Sequence, residues 1–573
     1  PSPRRGAVVD ALVEACRSAA VAVGAPAPSA PWLPPLPARV LADELAAWAD
    51  PQAARGGLPI ALVDLPSERR QLPLRWVPSS GHLLVVGAPG SGRSTTLRTA
   101  AVAALGLGWH VHAVGLPADL THDLLPHVGM GTVLGLDEPR ALARLIELLG
   151  AEPDARSDRD APRRLLLLDG LDAVAEPLGS MARGAGLGRL LDLLRTGRSH
   201  GVAVAASAGP AMGAGARCAA HLPARLVLPV GDRGAEAIAG VPAGLTGVGR
   251  PPGRAVWLPP PAAAAEPAAC EAALCQVALA LAPAVVHGPS AHGSAPAGRT
   301  QERPGRATRL LPLPTRVGRS EMTAARAIAP PGVGGRAAAP RRSPDEVVVG
   351  LGGDTAELVR LDVRRGALVV GPPGSGRSTA LAVLAEELLA AGRPVAILAR
   401  DGPLRRLGDA RVPQSTCGFA VGRAMELLSR TAPGTVVLVD DLDALEQLAP
   451  TVADRLTSLV TTLDLASAAA DAHDGADRAT GPLTVVVGAA QTVRAATAFR
   501  GTVAALRGVR SGIVLSPGEP GSDDVFGSAL AWHVDPVRPR APGRGVRQHG
   551  SDLVPVQLLD PTGPDDAGPR PGR

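Results

Sequence analysis

Two stretches of the chain place glycines, a cation and hydroxyls at the spacing of a phosphate-binding loop. The first is Gly87, Ala88, Pro89, Gly90, Ser91, Gly92, Arg93, Ser94 and Thr95; the second is Gly371, Pro372, Pro373, Gly374, Ser375, Gly376, Arg377, Ser378 and Thr379. Glycines there let successive backbone N–H groups converge on phosphate oxygens, and the helix that follows adds the partial positive charge of its N-terminus. The hydroxyls of Ser94 and Ser378 stand where a Mg²⁺ ligand belongs. The pattern calls for Lys before that hydroxyl, and both copies carry Arg. A planar guanidinium is bulkier than an ammonium and must approach phosphates differently, so binding is expected to survive the exchange better than hydrolysis.

A nucleotide hydrolase also needs a carboxylate at the end of a strand beside the loop, to hold Mg²⁺, and an adjacent acid to orient or activate water. The apolar run 164–168 ends in Asp169 and the run 436–439 ends in Asp440. Asp440 is followed by a second acid, Asp441, whereas Asp169 is followed by Gly170. Asp440 and Asp441 are therefore the candidate catalytic pair, and only the second unit is expected to turn nucleotide over. The expected metal ligands are Ser94 with Asp169 and Ser378 with Asp440. Gln491 follows another apolar run, at the place of a γ-phosphate sensor or of an exposed loop residue.

These groups must be positioned by strands and helices, and the patterning supplies them twice. Each loop follows a short apolar run and precedes an Ala/Leu-rich helical pattern. Further strands are predicted at 109–115, 164–169, 203–206 and 226–230, and again at 394–398, 436–440, 483–487 and 512–515. Continuous apolar strands alternating with helices indicate mainly parallel sheets covered on both faces. A Leu-Pro segment also recurs: 277 positions separate Pro37 from Pro314, and 284 separate Gly87 from Gly371. Nearly equal offsets mean a duplicated unit. Helices are predicted before both Leu-Pro segments, over 7–23 and 266–281. The expected division is a helix and Pro-rich connector (1–56), a first unit (57–258), a helix and Pro/Gly/Arg-rich linker (259–344), a second unit (345–560) and a disordered tail (561–573).

Composition bounds the reading. Aromatics are 2% of the 573 residues and the chain has no Lys, Asn or Tyr, so Ala, Leu and Val must pack the cores, as in a strongly GC-biased genome. A net charge of +5 does not by itself announce nucleic acid. Cys16, Cys218, Cys270, Cys275 and Cys417 show no metal or disulfide spacing, which fits a reduced compartment. The uncharged run 272–286 is too short to span a bilayer and reads as a packed helix. The chain begins with Pro, and is expected to start inside a longer protein.

Together these residues resemble the FtsK/SpoIIIE family of ring-forming P-loop motors, and within it the later ATPase modules of EccC-like proteins of actinobacterial type VII secretion. The resemblance runs over about 58–258 and 347–559. It rests on the two loops, on Asp169-Gly170 followed later by Asp440-Asp441, on the connector ending at Pro37, and on the module ends around Pro252-Gly253-Arg254 and Pro542-Gly543-Arg544 with Gln557. It implies two tandem RecA-like P-loop NTPase modules that bind ATP with Mg²⁺ and act in a homo-oligomeric ring, a hexamer being one form, in the cytoplasm or at the cytoplasmic face of a membrane complex. The cargo stays open: double-stranded DNA in FtsK and SpoIIIE, a small helical secreted protein in EccC. A second class stays open too, a docking arm that binds nucleotide and a partner without turnover.

Overall fold

A computed structural model of the chain describes residues 3–26, 32–48, 57–151, 163–247, 249–261, 271–281, 307–328, 345–471 and 483–561. They form two ten-stranded sheets. In the first module the strands are β1 (Leu58–Leu65), β2 (Arg70–Trp76), β3 (Leu83–Val86), β4 (His110–Val114), β5 (Met130–Leu134), β6 (Arg164–Leu168), β7 (Val202–Ala208), β8 (Ala224–Val227), β9 (Arg254–Leu258) and β10 (Ala273–Val277). Their order is β2-β1-β10-β9-β8-β3-β7-β6-β4-β5. The run from β8 to β5 is parallel, and β9, β10, β1 and β2 extend it as antiparallel strands.

The second module repeats this with β11 (Glu346–Gly352), β12 (Glu357–Asp362), β13 (Ala367–Val370), β14 (Val395–Leu398), β15 (Thr416–Cys417), β16 (Val436–Val439), β17 (Val485–Ala490), β18 (Ser511–Leu515), β19 (Arg544–His549) and β20 (Asp552–Leu558). The order is the same, each strand number raised by ten. The fold class expected from the sequence, tandem α/β modules with mainly parallel sheets, is the one found.

Apolar runs become central strands because both of their faces are covered. Leu83, Leu84, Val85 and Val86 are all buried, and they divide between two core clusters, one on each face of the sheet. Full burial of each such side chain is worth about 1.5–3 kcal/mol, which fixes the strand that carries the phosphate loop. Leu368, Val369 and Val370 do the same in module 2. Two buried histidines brace module 1 as neutral acceptors: His82 Nδ1 accepts from Val204 N and His112 Nδ1 from Thr132 N, each at 3.1 Å. Burial, the leading cause, pushes both down to about 4.

One expected helix is not there. Where the stretches 266–281 and 272–286 are described, over 271–281, they instead carry strand β10, inserted between β1 and β9; 266–270 and 282–286 lie outside the described residues. Its Cys275 pairs with Val63, about two hundred positions earlier, so a long-range partner decided what an Ala-rich composition concealed. The helix expected near the N-terminus is present as Pro3–Ala22, with Val8, Leu12 and Val21 largely exposed. Of the helix and linker expected over 259–344, the described residues beyond 281 are 307–328, including a helix at Arg319–Ile328; the linker's remaining arginines, and the tail from 562, lie outside the described residues. Both Leu-Pro connectors lie along the closing strands, with parallel bridges joining Leu41 to Leu279 and Val317 to Leu559. Among the described residues no helix is long and apolar enough to cross a membrane and no metal-ligating cluster occurs. Cys218, Cys275 and Cys417 are buried free thiols, Cys16 is exposed, and Cys270 lies outside the described residues.

Candidate nucleotide sites

Each loop leaves the C-terminal end of the central parallel strand and enters a helix, Arg93–Gly106 in module 1 and Arg377–Ala390 in module 2, so Thr95 and Thr379 lie in the first turns. The turn needs left-handed backbone at Gly90 and Gly92, with φ of +77° and +105°, and at Gly374 and Gly376, with +78° and +104°. A Cβ on Gly87 or Gly371 would overlap the hydroxyl of Ser91 or Ser375. Those two hydroxyl oxygens are buried without a hydrogen-bond partner, inside loops whose geometry directs donors inward. Orphaned donors at a helix N-terminus are what a bound phosphate satisfies, so the residues present fit the phosphate tail of a nucleotide.

The strand-end carboxylates reach these loops. Ser94 Oγ donates to Asp169 Oδ2 at 2.5 Å, and Ser207 Oγ donates to the other carboxylate oxygen. In module 2 Ser378 lies close enough to lower the pKa of the Asp440 carboxyl, and Asp441 N donates to Asp440 Oδ1 at 3.0 Å. Here the modules diverge. Val85 pairs with Ser207 and Val369 with Ala489, so module 2 has a methyl where module 1 has the second hydroxyl. Asp440 is 3% exposed, and burial, opposed by Ser378, pushes its carboxyl above the usual range.

The arginines diverge as well. Arg377 Nη1 donates to Gly371 O at 3.1 Å, and its Nη2 forms an ion pair with Asp441 Oδ1 at 3.2 Å. The other oxygen of Asp441 takes Arg400 at 3.4 Å, and Arg400 also lies over the Phe419 ring. Asp441 has the left-handed φ of +50° that Gly170 adopts at +85° in module 1. With glycine at that position, Arg93 makes no hydrogen bond or ion pair with the described residues and lies beside Gly209. Gln491 is exposed, directly after Ala490, which pairs with Val370 at the mouth of the loop. Sequence reasoning missed Ser207 and Arg400, whose roles depend on strands and loops distant in the chain.

No family profile matches the chain. Among solved structures, EssC (ATPases 2 and 3) from Geobacillus thermodenitrificans superposes with a TM-score of 0.52 at 17% identity, over 92% of this chain and 100% of that one. EccC (ATPases 2 and 3) from Thermomonospora curvata, in complex with a signal sequence peptide, gives 0.51 at 17% identity over 93% and 100%. The fold is that of the paired EccC and EssC ATPase modules 2 and 3. Among curated proteins, the ESX-4 secretion system protein EccC4 of Mycobacterium tuberculosis (strain ATCC 25618 / H37Rv) is 35% identical over 129 residues, 21% of this chain. The match spans 10% of that protein's length.

In this EccC-like pair the second connector has a seat on module 1. Ala307 N donates to Val128 O at 3.2 Å, Arg309 Nε to Met130 O at 3.1 Å and Leu310 N to Thr132 Oγ1 at 2.9 Å, along the β5 edge, with Leu310 buried in the core beside it. The register equates Leu134 with Cys417, so β15 takes the place of β5. At that equivalent edge of module 2, a groove of about 630 Å³ lies against the helix Val421–Arg430, lined by Ser415, Thr416, Cys417, Arg423 and Leu427 among others.

Proposed function

We propose that this chain is a paired nucleotide-binding arm of an EccC-like P-loop ATPase, working in a ring of like chains at the cytoplasmic face of a membrane-bound secretion apparatus. In this reading both modules bind ATP with Mg²⁺, and module 2 couples binding and turnover to movement of a secreted protein. The observation that carries it is the duplicated constellation of a glycine-rich loop with a serine beside a strand-end carboxylate: Ser94 donates to Asp169, and Ser378 lies against Asp440. Bound Mg-ATP supplies the phosphoanhydride whose cleavage releases free energy. Ser94 with Asp169, and Ser378 with Asp440, would hold the cation, and Arg93 and Arg377 would offset phosphate charge. Asp441 is held by Arg377 and Arg400, and can accept a proton from water only after Arg377 has left it for a stronger anion. Module 1, with Gly170 there, binds without turnover.

Three observations support a peptide as cargo rather than duplex DNA. The chain's own segment 307–310 lies along the β5 edge, which supports a seat for extended chain at such an edge. The equivalent groove beside β15 receives no connector among the described residues. The Thermomonospora curvata EccC pair was captured with a signal sequence peptide. The test is Mg²⁺-dependent binding of a fluorescent ATP analogue to the whole chain, with turnover of Asp169→Asn and Asp440→Asn. The reading expects two sites and turnover lost only in Asp440→Asn. No Mg²⁺-dependent binding, or turnover that depends on Asp169 instead, overturns it.

A further inference from the structure

A second pair of arginines is placed identically in the two modules, and neither belongs to a phosphate loop. Arg254 opens β9 and Arg544 opens β19, each directly after a Pro-Gly turn. That glycine grips the phosphate loop: Gly253 N donates to Ser91 O at 3.1 Å, and Gly543 N to Ser375 O at 3.0 Å. Both glycines have left-handed φ, +78° and +72°, and a Cβ on either would press on a glutamine amide at 2.8 Å from Gln276 or 2.9 Å from Gln557. Each glutamine donates to the proline carbonyl of its own turn, Gln276 to Pro252 at 3.3 Å and Gln557 to Pro542 at 2.9 Å. The turn is thus clamped between the phosphate loop and the closing strand.

The arginine that follows reaches the other way, to the Leu-Pro connector. Arg254 Nη2 donates to Leu36 O at 2.8 Å and Pro37 O at 3.1 Å, and Arg544 Nη2 to Leu313 O at 3.3 Å and Pro314 O at 2.9 Å. Both residues are part-buried, and burial pushes both guanidinium groups below the ordinary arginine range. A guanidinium spanning two consecutive carbonyls is a specific fixture, and here it occurs twice in modules that differ elsewhere around their loops. The second connector is also the segment seated on the β5 edge, and Leu311 N donates to Asp354 O of module 2 at 2.8 Å.

We infer that Arg254 and Arg544 are positioning residues of the nucleotide sites, each tying the phosphate loop of its module to the connector that enters that module. For module 2 the line runs from Ser375 through Gly543 and Arg544 to Leu313 and Pro314, and along the connector to the module 1 edge. Nucleotide at module 2 therefore steadies a segment that is docked on module 1, and loss of that docking loosens the loop. The inference rests on the nucleotide-binding reading above.

The test uses the whole chain, hydrogen–deuterium exchange over 307–317 and 371–379, and titration with Mg²⁺ and a non-hydrolysable ATP analogue. In the wild type, nucleotide slows exchange in both segments. Arg544→Ala is expected to speed connector exchange without nucleotide, to abolish the nucleotide-linked slowing at 307–317, and to weaken binding at module 2 about tenfold, the scale of one lost charge-assisted contact. Arg544→Lys, which keeps a donor for the carbonyls, restores part of the connector protection. Connector exchange and module 2 affinity equal to wild type in Arg544→Ala would overturn the coupling while leaving the nucleotide reading intact. A wild-type chain in which nucleotide slows exchange in neither segment overturns the nucleotide reading, and the coupling with it. A variant that has lost its fold shows fast exchange across β13 and β17 as well, and Gln557→Ala, which frees the same turn from the other side, then decides: unchanged module 2 affinity there overturns the coupling.

Discussion

Replacing Asp441 by Asn should tighten ATP at module 2 while stopping turnover there. Arg377 is 3.2 Å from Asp441 with its side chain 11% exposed, and must leave that carboxylate to meet phosphate. Two unit charges at that distance attract by about 5 kcal/mol at an effective dielectric of about 20. The Asp441 side chain is 36% exposed and shared with Arg400, so solvent and side-chain entropy reduce the net pairing to about 1 kcal/mol. Asn keeps the acceptor and the size but removes the charge, and with it the repulsion between a carboxylate and the incoming phosphates. Binding should strengthen roughly fivefold to tenfold, and any turnover fall by at least about a hundredfold, the usual contribution of a general base. The assay is titration of a fluorescent ATP analogue in an Asp169→Asn background, which leaves module 2 to dominate, alongside phosphate release. Unchanged or weaker binding would refute the idea that Asp441 restrains Arg377.

Arg377→Lys should raise phosphate release with little change in affinity, since a point charge that follows the γ-phosphate helps the transition state most; a fall would mean that Arg377 is an adapted residue. Asp440→Asn should raise the melting temperature at neutral pH without Mg²⁺, because burial raises the native carboxyl above its ordinary 3.8 and ionised Asp440 costs stability above that raised value. The gain should fade as pH falls toward 3.8 and be gone below it, as melts from pH 3 to 8 would reveal. For His82 and His112 the sign is opposite: native values near 4 against an ordinary 6.5 mean that module 1 loses stability as pH falls from 6.5 toward 4, and that His112→Asn flattens this slope in the same melts. Duplex DNA should bind weakly and lose affinity steeply with salt once 287–306 and 329–344 are replaced by neutral linker, sparing the seated 307–328; tight binding that survives would move the cargo assignment to DNA.

The two loops and the strands that carry them were legible because their signals are local: a glycine spacing, then apolar runs buried on both faces. β10 was not, since its partners lie far away in the sequence and its composition is that of a helix. The arginines of the closing strands were visible as a repeated Pro-Gly-Arg, but nothing local says that Arg254 must reach back to Leu36. Ser207 was hidden for a similar reason. Its value comes from the register that sets β7 beside β3, and a Ser among alanines announces nothing by itself.

The duplication supplies the comparison that a single chain otherwise lacks. Parts that deliver phosphate geometry are the same in both modules: loop backbone, serine, strand-end carboxylate, and the Pro-Gly-Arg clamp with its glutamine. Parts that set charge next to the reacting centre differ: Gly170 against Asp441, and Ser207 against Ala489. The arginine in the lysine position is common to both modules yet lives in two environments, beside a glycine at 209 and against a carboxylate at 441. Arg400 takes the second oxygen of Asp441, so that acid is held by two arginines at once. In the reading proposed above, such a site is opened by its own ligand, and turnover at module 2 is gated at Arg377 before it is limited at Asp441.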